Sequence, residues 1–253
     1  METIVGKSNF VVLTTQRTGS SMFMDVLNGY PDIEGHMELF LDQKRTSPGI
    51  AGANDLIRYF EWKDLNFSFR PFSVWKYLSK LYAKTPTVGF KLMYSHLRNY
   101  PDILPYLIFK KIKIIHLVRR NYLDIIISEK IAELTGKSHT IDKAEVNSEK
   151  LFLDPVSTLN KVLKLDSNTQ KIRRLISKLV MCNRLEVYYE DVVNDPVTTL
   201  RKVKQFLDID ISADQIQSNL KKRQTKKKSE IISNYDEIYS TLINAGFGRL
   251  LND

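Results

Sequence analysis

The sequence predicts an α/β protein, a doubly wound parallel sheet flanked by helices in a single domain spanning residues 1–253. Three observations predict it. Short apolar runs of buried-strand character alternate with longer stretches whose apolar residues recur every three or four positions, the pattern of parallel strands covered by helices. Two of these strands run into a polar loop that opens a helix. The chain has 253 residues, 43% hydrophobic and 26% charged, enough to bury one substantial core, which excludes a small stapled scaffold and a disordered tail.

The first strand is Phe10–Thr14. It leads into Thr15-Gln16-Arg17-Thr18-Gly19-Ser20-Ser21, after which Met22, Phe23, Val26 and Leu27 recur at helical spacing until Gly29. Residues 35–69, with Pro48, Gly49 and Gly52 and a weak period, read as the most loop-like stretch, suited to acceptor binding or to a lid. Strands follow at Thr87–Met93 and Ile112–Val118. The second of these enters Arg119-Arg120-Asn121, where Asn121 can cap a helix that carries Asp124 in its first turn and then Ile125, Ile126, Ser128 and Ile131. Arg184–Tyr189 is the last strand. Pro155–Leu163, Ser167–Leu179, Pro196–Leu207 and Ser233–Ile243 space their apolar residues as helices. There is no repeat and no linker.

The formal net charge is +9, and six basic residues between Lys221 and Lys228, with no acid among them, supply +6 of it. A local anion site fits that concentration better than a surface coated by nucleic acid, which needs basic and aromatic residues interleaved over an exposed face. Cys182 is the single cysteine, so no intramolecular disulfide forms, and Met1–Phe10 has no signal-peptide core. A cytoplasmic location is expected. No apolar run approaches the roughly 20 residues that cross a bilayer.

A loop of small hydroxylated residues with one arginine, between a buried strand and a helix N-terminus, offers backbone N–H groups, hydroxyls and a cation to an anion; a well-capped turn is the other reading. A magnesium-dependent nucleotide or adenylylsulfate kinase would need Gly-Lys-Ser/Thr in this loop, and it is absent. Gly136-Lys137-Ser138 follows a helix and reads as a helix C-terminus, and Gly246-Phe247-Gly248 lacks the third glycine of a dinucleotide fingerprint. His36, His96, His116 and His139 show no paired-ligand spacing and one cysteine builds no zinc site, so no metal is expected. No Gly-x-Ser-x-Gly elbow supports a serine hydrolase.

Together the motifs resemble the sulfotransferase family that uses 3′-phosphoadenosine-5′-phosphosulfate (PAPS), whose fold is P-loop-like. Gln16-Arg17-Thr18-Gly19-Ser20-Ser21 resembles its 5′-phosphosulfate loop, with Arg where many members have Lys. Arg120-Asn121-Tyr122-Leu123-Asp124-Ile125-Ile126-Ile127-Ser128 resembles its 3′-phosphate motif, with Tyr122 replacing the usual Pro or Ala. Val187-Tyr188-Tyr189-Glu190-Asp191-Val192, with Asn194-Asp195-Pro196, is similar to its Tyr-Glu-Asp segment. Pro31-Asp32-Ile33, Gly35-His36-Met37-Glu38-Leu39-Phe40, Gly89-Phe90-Lys91-Leu92-Met93-Tyr94 and Lys222-Arg223-Gln224 before Ile232-Ser233-Asn234-Tyr235 resemble the bacterial carbohydrate and small-molecule branch.

The resemblance implies sulfuryl transfer to a small-molecule or sugar acceptor, with PAPS as donor and the bisphosphate PAP as product, without nucleic acid. It implies that Arg17, Thr18, Gly19, Ser20 and Ser21 bind the phosphosulfate, with Arg17 stabilising the transferring group, and that Arg120 and Ser128 bind the 3′-phosphate. Glu38 is the first choice of general base, with His36 and His96 in reserve; a structural carboxylate is the alternative for Glu38. Tyr188 lines the nucleotide or is a buried strand aromatic. Arg223 and Gln224 contact the cofactor, or the basic run is a solvated loop. Trp62 and Trp75 shape the acceptor site or anchor the core.

Overall fold

In the computed structural model, residues 8–41, 58–66, 69–83, 87–135, 150–209 and 227–252 are described. The chain forms two compact units, one of residues 1–118 and 175–220, the other of residues 119–174 and 221–253.

The first unit is built on β1 (Phe10–Thr14), α1 (Ser20–Asn28), β2 (Ile33–His36), α2 (Tyr59–Asn66), α3 (Phe72–Leu81), β3 (Thr87–Met93), α4 (Tyr94–Asn99), α5 (Ile103–Phe109) and β4 (Lys113–Val118). After α6 (Tyr122–Thr135) and α7 (Pro155–Ser177), the chain contributes β5 (Arg184–Tyr188), α8 (Tyr189–Asn194) and α9 (Pro196–Phe206) to it. The strands make one parallel sheet in the order β2-β3-β1-β4-β5, the doubly wound arrangement the sequence predicts.

Strand alternation assigns each face its partners. Phe10, Val12, Ile115, Leu117 and Val187 pack with Phe23, Met24 and Leu27 of α1 and with Leu200 and Val203 of α9. The other face meets an aromatic cluster: Phe40 lies 5.7 Å from Phe90 and 5.1 Å from Tyr59, and the Tyr82 hydroxyl donates to the Phe10 carbonyl at 2.9 Å. Each fully buried ring of this kind contributes about 1.5–3 kcal/mol. Trp62 is buried against Tyr59 and Tyr77, and the half-buried Trp75 stands edge-on to Tyr106.

Gly35 explains why a four-residue segment with a glycine at its third position is a strand at all. A Cβ there would meet Met24 at 2.7 Å and Asn28 at 2.8 Å, and the Asn28 amide holds the Gly35 backbone from both sides, accepting from its N–H at 2.6 Å and donating to its carbonyl at 2.9 Å. Residues 35–69 are therefore less loop-like than expected: β2 ends and α2 lies within them.

The second unit packs Leu123 and Ile127 of α6 and Val162 of α7 with Ile238 and Leu242 of α11 (Tyr235–Asn244) and with Leu250. α10 (Lys228–Ile231) precedes α11. Asn234 clamps the Leu153 backbone, donating to its carbonyl at 2.8 Å and accepting from its N–H at 3.2 Å. α7 is continuous where two helices were expected. Across the join the Thr169 hydroxyl donates to the Leu165 carbonyl at 2.9 Å, and Asp166 accepts from the Tyr122 hydroxyl of α6 at 3.3 Å. Among the described residues, no helix is long and apolar enough to cross a membrane, and no group of three or more His, Cys, Asp or Glu side chains is placed to hold a metal ion.

Candidate active site

β1 is followed in the chain by β2 on one side of it, while β4 is followed by β5 on the other, so the carboxyl ends of β1 and β4 mark the switch point of the sheet. Open α/β sheets bind ligands there. The loop that leaves β1 is shaped for an anion. Arg17 has φ 60° and Gly19 φ 78°, and left-handed residues alternating with ordinary ones turn successive N–H groups toward one point. Gly19 caps α1, whose first turn carries no acidic residue; the first N–H groups of a helix have no carbonyl within it to bond.

Gly19 is required for two reasons. Its φ lies where side chains are strained, and a Cβ would stand 2.3 Å from two ring atoms of Tyr189. Tyr189 is thus the aromatic that presses on this loop. The sequence reading named its neighbour Tyr188, which ends β5 and donates its hydroxyl to Glu186 at 2.5 Å. The resemblance to a Tyr-Glu-Asp segment already held the signal, because Tyr189 is the tyrosine of that triplet.

Thr18 also differs from expectation. It is 1% exposed, and its hydroxyl is spent within the loop, 2.5 Å from the Thr14 hydroxyl and 2.9 Å from the Thr15 carbonyl. Thr14 in turn donates to the Leu117 carbonyl at 2.9 Å, tying the loop to β4.

Lys91, the residue that sequence reasoning quoted but gave no role, is the buried cation of the site. It is 4% exposed in the middle of β3, on the sheet face that α1 covers. Its ammonium lies 2.8 Å from Glu38 Oε1 and donates to Ser21 Oγ at 3.3 Å. A lone buried ammonium costs several kcal/mol unless paired, so a lysine inside an otherwise apolar strand was itself the signal.

Glu38 follows the end of β2 by two residues and is partly exposed, with His96 Nε2 3.8 Å from its second oxygen. His96 Nδ1 accepts the Met93 N–H at 3.3 Å. A neutral imidazole that accepts through Nδ1 carries its proton on Nε2, and at 3.8 Å that nitrogen stands near Glu38 without a direct hydrogen bond to it. His36 goes elsewhere. Gly35 and Gly89 are level, and Gly35 faces α1, so strand parity turns His36 to the opposite face from Lys91, where its Nε2 lies 3.2 Å from Glu34. The structure therefore brings Glu38, His96, Lys91 and Ser21 together and leaves His36 apart.

In the second unit, Asn121 caps α6 as expected, its Oδ1 accepting the Asp124 N–H at 3.3 Å. Asp124 bonds Arg119 at 2.9 Å and lies 3.5 Å from the Lys228 ammonium, which donates to the Asn252 carbonyl at 2.5 Å. Asp124 thus serves two cations, Arg119 and Lys228. Arg120 is exposed, and Ser128 is one turn beyond Asp124 on the same side of α6. Lys228 is 3% exposed, so the end of the basic run is an internal anchor. Arg223 and Gln224 lie outside the described residues.

A model of the sulfotransferase domain matches residues 7–247, across both units. Mouse sulfotransferase SULT7A1, solved in complex with PAP, is 15% identical, with a TM-score of 0.50 over 96% of this chain and 87% of its own. A sulfotransferase domain from the curacin biosynthetic pathway is 16% identical, with a TM-score of 0.51 over 87% of this chain and 81% of its own. No curated protein sequence matches the chain. These structures share its fold, and a domain model that spans nearly all of the sequence supplies the family: the chain belongs to the sulfotransferases.

Proposed function

We propose that the protein transfers the sulfuryl group of PAPS to a hydroxyl, or to an amine or carbamate nitrogen, of a small-molecule natural product or carbohydrate. The observation that carries this reading is the buried Lys91 set between Ser21 of the phosphosulfate loop and Glu38. In the reaction the bond between sulfur and the 5′-phosphate oxygen breaks, the bond between sulfur and the acceptor forms, PAP leaves, and the acceptor loses a proton.

The loop N–H groups of Thr18 to Ser21, with Arg17, hold the phosphosulfate and balance the charge on the leaving oxygen. Lys91 adds a cation whose position is fixed by burial. Glu38, oriented by Lys91, takes the acceptor's proton. Arg120 and Ser128 bind the 3′-phosphate, as the resemblance of Arg120–Ser128 to the family's 3′-phosphate motif implies; Arg223 and Gln224 are proposed to add contacts. Tyr189 rather than Tyr188 flanks the loop. His36 has a structural part. The lone cysteine supports a cytoplasmic setting, and the single concentrated basic run disfavours nucleic acid as partner.

The test is transfer of labelled sulfate from PAPS to a panel of sugars, phenols and amines. The wild type labels at least one, and Glu38→Gln keeps PAP affinity while turnover falls by roughly 10²-fold or more, the scale of lost general-base catalysis. No labelled product, or full turnover in Glu38→Gln, contradicts the respective part of the reading.

A further inference from the structure

Away from the site, α3 and α5 expose aromatic rings of the kind that cores bury. Phe72 is 75% exposed and Phe109 68%. Single exposed rings are ordinary on a protein surface, but these belong to one patch. Phe72 and Trp75 are three positions apart on α3 and share a face, and the half-buried Trp75 lies 5.4 Å from Phe109 at the end of α5.

Lysines border the patch. Lys76 and Lys80 follow Phe72 by one and two turns on the same exposed stripe of α3. The Lys110 ammonium lies 5.5 Å from the centre of the Phe109 ring, and Lys110 walls one cavity together with Ser79 and Tyr82, which places it on the α3 side of α5. Residues 69–83 and 103–113 contain no Asp or Glu. Arg70 pairs with Asp102 and Lys113 with Asp208, while Lys76, Lys80, Lys110 and Lys111 pair with no carboxylate among the described residues. Uncompensated positive charge around exposed rings is complementary to a partner that is anionic and apolar at once.

We propose that the face formed by α3 and α5 docks the protein on an anionic membrane surface, with Phe72, Trp75 and Phe109 entering the lipid interface and the lysines meeting the headgroups. Aromatic rings settle at headgroup level, and each lysine close to an anionic leaflet strengthens binding several-fold. A second copy of the chain fits the face poorly, because a two-fold contact through it would set the same lysines against one another. Nucleic acid also fits it poorly. Arg70, the residue of this face suited to grip a phosphate with two donors, already spends its guanidinium on Asp102. The face contains none of the residues that take part in the proposed sulfuryl transfer, so the inference stands apart from that reading.

The test is co-sedimentation of the full chain with vesicles, in the absence of PAPS. Vesicles of equal parts phosphatidylcholine and phosphatidylglycerol bind the wild type, and vesicles of phosphatidylcholine alone bind it at least about tenfold more weakly. Lys76→Gln with Lys110→Gln lowers affinity for the mixed vesicles about 30-fold, since about fivefold is lost with each lysine. Phe72→Ser with Phe109→Ser lowers it by about tenfold or more. All four side chains are exposed, so the thermal unfolding of both double variants matches wild type. Lys226→Ala with Lys227→Ala, in the basic run, retains the wild-type affinity. Brominated lipid in the mixed vesicles quenches tryptophan fluorescence in the wild type, and that quenching is lost in Trp75→Phe.

No binding to the mixed vesicles, equal binding to phosphatidylcholine alone, or binding that survives both double variants would overturn the proposal. Loss of binding on changing Lys226 and Lys227 would overturn it too, by assigning the attraction to the basic run. So would a wild-type dimer that Phe72→Ser with Phe109→Ser dissociates, or a single-stranded oligonucleotide held more tightly than the mixed vesicles and released by the lysine variant.

Discussion

Gly19→Ala tests the architecture of the phosphosulfate loop at its tightest point. The φ of 78° costs an L-residue about 1–2 kcal/mol. The added methyl would also stand 2.3 Å from two carbons of the Tyr189 ring, and forced overpacking of this kind adds about 1–3 kcal/mol. The sum is about 2–5 kcal/mol, acting on the loop and on the start of α1. Denaturant unfolding measures the stability loss and calorimetry with PAP measures the binding loss. The two causes separate in the double variant: Gly19→Ala with Tyr189→Ala removes the clash and keeps the strain, so it recovers part of the loss beyond what Tyr189→Ala alone costs. A Gly19→Ala protein of wild-type stability and PAP affinity, or a double variant with additive losses, would refute the packing of Tyr189 on this glycine.

Three further outcomes follow from measured contacts. Lys91→Met keeps the length of the side chain but removes the ammonium shared by Glu38 and Ser21; turnover should fall at least as far as in Glu38→Gln and PAP affinity with it, read by steady-state kinetics and calorimetry. Asp124→Asn leaves Arg119 and the buried Lys228 without their carboxylate, and breaking a buried pair from one side predicts a loss of about 3 kcal/mol in urea unfolding. Asp208 is held below the ordinary carboxylate range, first by the hydrogen bond from Lys113 and also by Ser8. Its stabilisation is therefore present above the unfolded value near ~3.9 and is lost as pH falls through the lower folded value. Lys113→Met should flatten that acid limb of the stability curve.

The sheet and its first loop were legible because they depend on local signals. Phe10–Thr14 and Thr87–Met93 are buried runs bounded by polar residues, and Asn121 caps α6 through its own side chain. What was missed depends on distant residues. β2 is held by Asn28 and Met24 around Gly35, which no window over Ile33–His36 contains. His36 looked equivalent to His96 as a reserve base, but the one-residue parity of a strand decides which face a side chain takes. Tyr188 and Tyr189 are separated by the same rule, one completing β5 and the other opening α8. Lys91 was visible only as an anomaly, since its partners lie 53 and 70 positions away in the chain.

The most direct test of the account is calorimetric titration with adenosine 3′,5′-bisphosphate, beside ATP, without added metal and at two salt concentrations. Tight one-to-one binding of the bisphosphate with weak binding of ATP is the predicted result, and Arg120→Ala should weaken it sharply. No binding of the bisphosphate, or equal binding of both nucleotides, would contradict the claim that this chain uses PAPS as its sulfuryl donor.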